Sequence, residues 1–64
     1  MTFIILTSQE TGKEFFVNLA QIQTITEHES YRRIIFSSGG DIHVIETMET
    51  IYKKISIMIE YNPI

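Results

Sequence analysis

Residues 37–60 decide the fold: Ser37-Ser38-Gly39-Gly40-Asp41-Ile42-His43-Val44-Ile45-Glu46, then Thr47-Met48-Glu49-Thr50-Ile51-Tyr52-Lys53-Lys54-Ile55-Ser56-Ile57-Met58-Ile59-Glu60. Within this stretch the hydrophobic period changes. Over 41–46, Ile42 and Val44 alternate with His43 and Ile45, the period of two that a strand requires. From Met48 onward, Met48, Ile51, Tyr52, Ile55, Met58 and Ile59 recur at spacings of three and four, one apolar stripe on an amphipathic helix. Thr47 is placed to cap that helix, Glu49 to complement the positive end of its dipole, and Asn62-Pro63 to stop it. Ile57 and Tyr61 fall off the stripe. Ser38-Gly39-Gly40 reads as a hairpin turn between the strand over 41–46 and the one before it, Gly-Gly meeting the positive-φ demand of a tight primed turn.

Working back from this stretch, residues 31–37 carry Ile34 and Phe36 in alternation with Arg33 and Ile35, a strand that follows a polar turn at His28-Glu29-Ser30. Residues 22–27 suit a strand as well, but Leu19, Ile22 and Ile25 are spaced by three. A short turn over 19–21 leading into a strand over 22–27 accommodates both signals, and Asn18 marks the corner before it. Residues 13–17 place Phe15 and Val17 on one face and Phe16 on the other. They form a hairpin with residues 3–7 through the turn Ser8-Gln9-Glu10-Thr11-Gly12. Residues 3–7 are apolar on both alternation phases, the pattern of a strand covered on two sides. The prediction is an α+β domain over residues 1–64: an antiparallel sheet of about five strands packed against one C-terminal helix.

The chain has 64 residues, 44% of them hydrophobic, and a formal net charge of −3. Its mean hydropathy is +0.08 and its isoelectric point about 5.1. These values suit a folded protein and provide no overall basic field for nucleic acid or an anionic membrane. Nucleic acid is therefore not the expected partner. No run approaches the roughly 20 apolar residues of a membrane span, and residues 1–6 lack the basic region of a signal peptide, so a cytoplasmic setting is expected. Cysteine is absent, which removes disulfides and thiolate metal sites. A domain this small commonly leans on disulfides, metal or oligomerisation, so self-association is the expected support.

Catalysis needs an activated nucleophile, a carboxylate pair in a pocket or an open metal position. Glu27-His28-Glu29 is the one local titratable cluster, and a solvated turn accounts for it. His43 reads as a half-exposed sheet residue. Ser37-Ser38-Gly39-Gly40 leads into a strand and not a helix N-terminus, so it reads as a hairpin and not a phosphate loop. No enzyme activity, cofactor or metal is expected. The remaining candidates are contact residues. Tyr31, Arg32 and Arg33, with Lys53 and Lys54 of the outer helix face, could form a local basic patch. Arg32 shares the phase of Ile34 and Phe36, so it either snorkels at the strand end or pairs with an acidic group or phosphate. Ile57 and Tyr61, together with Ile64, could form an apolar contact surface for a partner or a second copy.

A resemblance adds to this reading. Ile5-Leu6-Thr7, Gly12-Lys13-Glu14-Phe15, Asn18-Leu19, Ile22, Ile25, Gly39-Gly40, Val44 with Glu46, and a helix bearing Ile51 and Ile55 together resemble the FlbD family of small flagellar-operon proteins, also called SwrD-type swarming motility proteins. The first turn is longer here than that family's usual short loop, and His28-Glu29-Ser30 replaces its proline-containing turn. The resemblance implies a cytoplasmic, non-enzymatic protein supporting flagellar motor function or swarming. Two alternatives stand beside it. One is a small inhibitor or adaptor, possibly phage-encoded, that blocks a host enzyme or defence complex. The other is a nucleic-acid module, because residues 19–55 are similar in hydrophobic pattern to part of LytTR-type domains.

Overall fold

A computed structural model describes the backbone of residues 2–61 and the side chains of residues 2–58. The predicted helix stop at Asn62-Pro63 and the contact roles of the Tyr61 side chain and Ile64 lie outside these described residues. Among the described residues five strands precede one helix: β1 (Phe3–Thr7), β2 (Glu14–Asn18), β3 (Ile22–Glu27), β4 (Arg32–Phe36), β5 (Asp41–Val44) and α1 (Met48–Tyr61), with a 3-10 turn at Leu19–Gln21 between β2 and β3. The architecture is α+β, as the periodicities require.

The single five-stranded sheet is not observed. β1 pairs with β2 as one antiparallel sheet, and β3, β4 and β5 form a second in the order β3-β4-β5. The two meet at an isolated bridge between Ser8 and Val44. Gln9 N–H donates to His43 O at 2.9 Å and Ile45 N–H to Thr7 O at 3.1 Å on either side of it. The reason lies just beyond Val44. β5 was predicted to run to Glu46, but Thr47 already caps the helix: its Oγ1 accepts from Thr50 N–H at 3.1 Å, and its carbonyl accepts from Ile51 N–H at 2.9 Å. The same few residues cannot extend along β1 and also nucleate a helix, so the sheet breaks there.

Asn18 Oδ1 accepts from Ala20 N–H at 3.1 Å, which fixes the corner into the 3-10 turn. In the β3–β4 ladder, Ile22 faces Phe36 while Thr24 faces Ile35. Gln23 is therefore the extra residue of a β-bulge. The bulge reverses the alternation phase, and this is why Ile22 and Ile25, three apart, both pack against the core.

The second hairpin differs from the predicted primed turn. Gly39 N–H donates to Phe36 O at 2.9 Å and Phe36 N–H to Gly40 O at 2.8 Å, which closes a three-residue loop over 37–39. Of the two glycines only Gly39 has positive φ, +100°. This is the loop class in which a left-handed glycine follows an ordinary turn and makes a bulge. The first hairpin uses Gly12 at φ +73°, with Gly12 N–H donating to Ser8 O at 2.8 Å.

Ile4, Leu6, Val17, Ile34, Val44 and Ile51 are buried and form the core, flanked by Phe15, Leu19, Phe36, Ile42, Ile55 and Met58. Both sheets and the helix contribute, so the broken sheet still encloses one core. Within the described stripe of α1, Ile51, Ile55 and Met58 face inward. Tyr52, predicted on the stripe, is 72% exposed, since it sits about 100° round the helix from Ile51. β1 is covered on one face only: Ile4 and Leu6 are buried while Phe3 and Ile5 remain 40% and 41% exposed. The predicted second cover is missing because Ile34, Val44 and Ile51 of the other elements pack with Ile4 and Leu6 in the core, and no core residue among those described meets the Phe3–Ile5 face.

Candidate functional site

Two surfaces gather the chemistry-bearing residues. The first is the outer face of the three-stranded sheet. Alternation places Thr26 of β3, Arg33 of β4 and His43 of β5 in one row, since Thr26 faces Arg33 and Arg33 faces His43 across the ladders. Tyr31 stands at the end of the same face, its ring stacked on His28 (centroids 4.8 Å apart, 19° between planes) and on His43 (4.1 Å, 20°). Thr26 Oγ1 and His28 Nε2 are 3.0 Å apart. Arg33 Nε donates to Asp41 Oδ2 at 2.8 Å, and His43 Nε2 lies 3.8 Å from the same oxygen. The outcome is a flat ring stack beside an exposed ion pair. The sequence pointed to Tyr31 and Arg33, read His28 as part of a solvated turn, and read His43 as the half-exposed sheet residue it is, without joining the rings. The signal that links them is cross-strand register, which one strand read alone does not contain.

The expected basic patch is divided by local partners. Arg32 Nη2 donates to Ile45 O at 2.7 Å, serving a carbonyl that the end of β5 leaves without a strand. Its Nε is buried without a hydrogen-bond partner among the described residues. Arg33 is held by Asp41, and Lys53 pairs with Glu49 one helical turn back at 3.2 Å. Lys54 turns to the second surface.

That surface is an apolar groove of about 330 Å³ between β1 and α1, lined by Phe3, Ile5, Phe16, Lys54, Ile57 and Met58. Phe16 is 73% exposed and Ile57 50%. The rings of Phe3 and Phe16 meet edge to face, 6.3 Å apart, a geometry that aromatic quadrupoles favour. Ile57 and Lys54, singled out from the sequence, are brought together here. Phe3, Ile5 and Phe16 were missed as contact residues because an apolar β-hairpin reads as core. Their exposure follows from the one-sided cover of β1.

A mixed cavity of about 540 Å³ lies between the first hairpin loop and β5, lined by Ser8, Thr11, Lys13, Glu14, Asp41 and His43 among others. Among the described residues no three His, Asp or Glu side chains converge as a metal site would need, and no helix is long and apolar enough to cross a membrane. No family model, curated protein or solved structure matches the chain.

Proposed function

We propose that the protein is a non-catalytic, cytoplasmic interaction module that binds a protein partner through the groove between β1 and α1. The observation that carries this reading is the joining of Phe3, Ile5, Phe16 and Ile57 into one exposed apolar surface on a domain whose core, among the described residues, has six buried hydrophobic side chains. A small acidic protein that leaves two phenylalanines and two isoleucines in water gives up stability it can ill spare, and such patches mark interaction sites. The resemblance to the FlbD-type flagellar family supports a partner in the flagellar motor or swarming apparatus. Self-association would use the outer edge of β2. There the register points the backbone groups of Glu14 and Phe16 away from β1, and unpaired edges are ready pairing sites.

The test is affinity capture from source-cell lysate with the wild-type protein and with Ile57→Asp, each with and without nuclease treatment. Flagellar components retained by wild type and lost by the variant support the reading. Retention of one unrelated enzyme or defence complex in their place moves the assignment to the inhibitor or adaptor class. A nuclease-sensitive, salt-sensitive complex moves it to a nucleic-acid module.

A further inference from the structure

The groove has a backbone side as well as an apolar one. Leu19 N–H donates to Thr2 O and Ser8 N–H to Lys13 O, at 3.0 and 2.9 Å. Even-numbered residues of β1 therefore turn their amides and carbonyls toward β2, and odd-numbered ones turn theirs to the opposite edge. Along that opposite edge Gln9 and Thr7 are paired with the β5 segment, through His43 O and Ile45 N–H, and Glu46 takes up the Thr7 N–H. Continuing that register by one and then two more pairs would put position 47 opposite Ile5 and position 49 opposite Phe3. Thr47 instead caps α1, and Glu49 lies in its first turn. The amides and carbonyls of Phe3 and Ile5 thus point into the groove, and no hydrogen-bond partner for them exists among the described residues.

We infer that the groove accepts an extended segment of the protein partner, added as a strand antiparallel to β1 in the line that β5 abandons. The inference rests on the interaction reading above and specifies its mode. β-Strand addition needs an unpaired strand edge and pockets for alternate side chains. Here Phe3 and Ile5 supply the edge. Phe16 on one side and Ile57 and Met58 on the other supply apolar walls. A strand rises about 3.3 Å per residue, so the open stretch of β1 pairs with roughly three to four residues of the added segment. Lys54 is the one charged residue lining the groove among the described residues. It fits a carboxylate near one end of the segment, whether a side chain or a chain terminus.

The probe is an array of eight-residue peptides alternating apolar and polar positions, with an acidic, neutral or basic residue at either end and with free or amidated C-termini. Acidic members are expected to bind best, and Lys54→Glu to weaken them at least tenfold while raising the basic members. Free against amidated termini separates a terminal from a side-chain carboxylate. N-methylation of those peptide amides that face β1 should weaken binding at least tenfold, and methylation at the intervening amides should not. Hydrogen exchange supplies an independent readout on the intact protein. Without peptide, the Ile4 and Leu6 amides are expected to exchange slowly and the Ile5 amide fast; bound peptide should slow Ile5 at least tenfold.

Absence of binding across the array, or binding indifferent to N-methylation, overturns strand addition. Protection of Ile5 that rises with protein concentration alone overturns it as well, by assigning the edge to a second copy. The two readings fail separately: capture that depends on Ile57 but not on peptide amides leaves the interaction module standing without strand addition. Peptide binding with no captured partner removes the proposed function instead.

Discussion

Replacing Glu46 with alanine tests what joins the two sheets. The Glu46 carboxylate accepts twice from Thr7: Oε1 from the backbone N–H at 2.8 Å and Oε2 from the hydroxyl at 2.7 Å. Thr7 is the last residue of β1, and its carbonyl receives Ile45 N–H, so this one carboxylate clamps the point where β5 leaves the sheet. Hydrogen bonds to charged groups contribute about 1.5–3 kcal/mol each. The site is partly buried and the two bonds share one carboxylate, so they do not add in full. A loss of about 2–3 kcal/mol is expected. That is a large share of the roughly 3–10 kcal/mol available to a chain of this size.

Urea unfolding reads the effect. With a slope of about 1 kcal/mol per molar for so small a domain, the midpoint should fall by about 2–3 M at unchanged slope. Glu46→Gln is the control. Its amide oxygen still accepts from Thr7 N–H, and the Thr7 hydroxyl can turn to accept from the amide NH2, so about 1 kcal/mol should be lost. If Glu46→Ala unfolds within about 0.5 kcal/mol of wild type, a threshold at the scale of ordinary surface substitutions, the clamp contributes nothing and the reasoning about the junction is wrong.

Other consequences are open to the same assays. Ile51, 2% exposed at the centre of the helix stripe, should cost about 2–4 kcal/mol as alanine and about 1 kcal/mol as valine; an Ile51→Ala midpoint equal to wild type would mean α1 is not docked as described. Gly39→Ala should cost about 1–2 kcal/mol from its left-handed backbone alone, because an added Cβ meets nothing within 4 Å. Gly40→Ala, with no positive φ, should change stability by less than half as much, and thermal melts of the pair make the comparison. Thr47→Ala removes the helix cap and should lose about 1 kcal/mol, read as reduced helical circular dichroism together with a lower midpoint. Asp41→Asn breaks an exposed ion pair and should shift stability by no more than about 0.5 kcal/mol; a larger, salt-dependent loss would show that the ring stack depends on that pair.

Much of the fold was legible because it is local. Thr47 at the cap and Ile51, Ile55 and Met58 at spacings of three and four fix a helix by themselves, since helical contacts join residues at most four apart. The 3-10 turn and the strand that follows it were legible from Asn18 at the corner and the three-residue apolar spacing that begins at Leu19. The three-residue spacing of Ile22 and Ile25 was visible too. Its cause was not, because a bulge exists only against a partner strand, and Gln23 becomes the extra residue only when Phe36 and Ile35 stand opposite. Of the candidate site, Ile57 and Lys54 were legible as residues off the helix stripe. Phe3, Ile5 and Phe16 were not, since an apolar strand looks the same whether two faces are covered or one.

What the chain determined by itself was therefore which elements form: five short strands, two glycine-assisted hairpins and one capped amphipathic helix. What only the tertiary structure decided was how residues 45–48 are shared. The β1 edge and the helix N-terminus compete for the same backbone groups, and the helix holds them, with Thr47 serving as its cap. That long-range contest splits the sheet in two, assigns Glu46 to the Thr7 clamp and leaves Phe3 and Ile5 open to the groove. Local propensity cannot settle it, because the two outcomes use the same residues and differ only in partners that are distant along the chain.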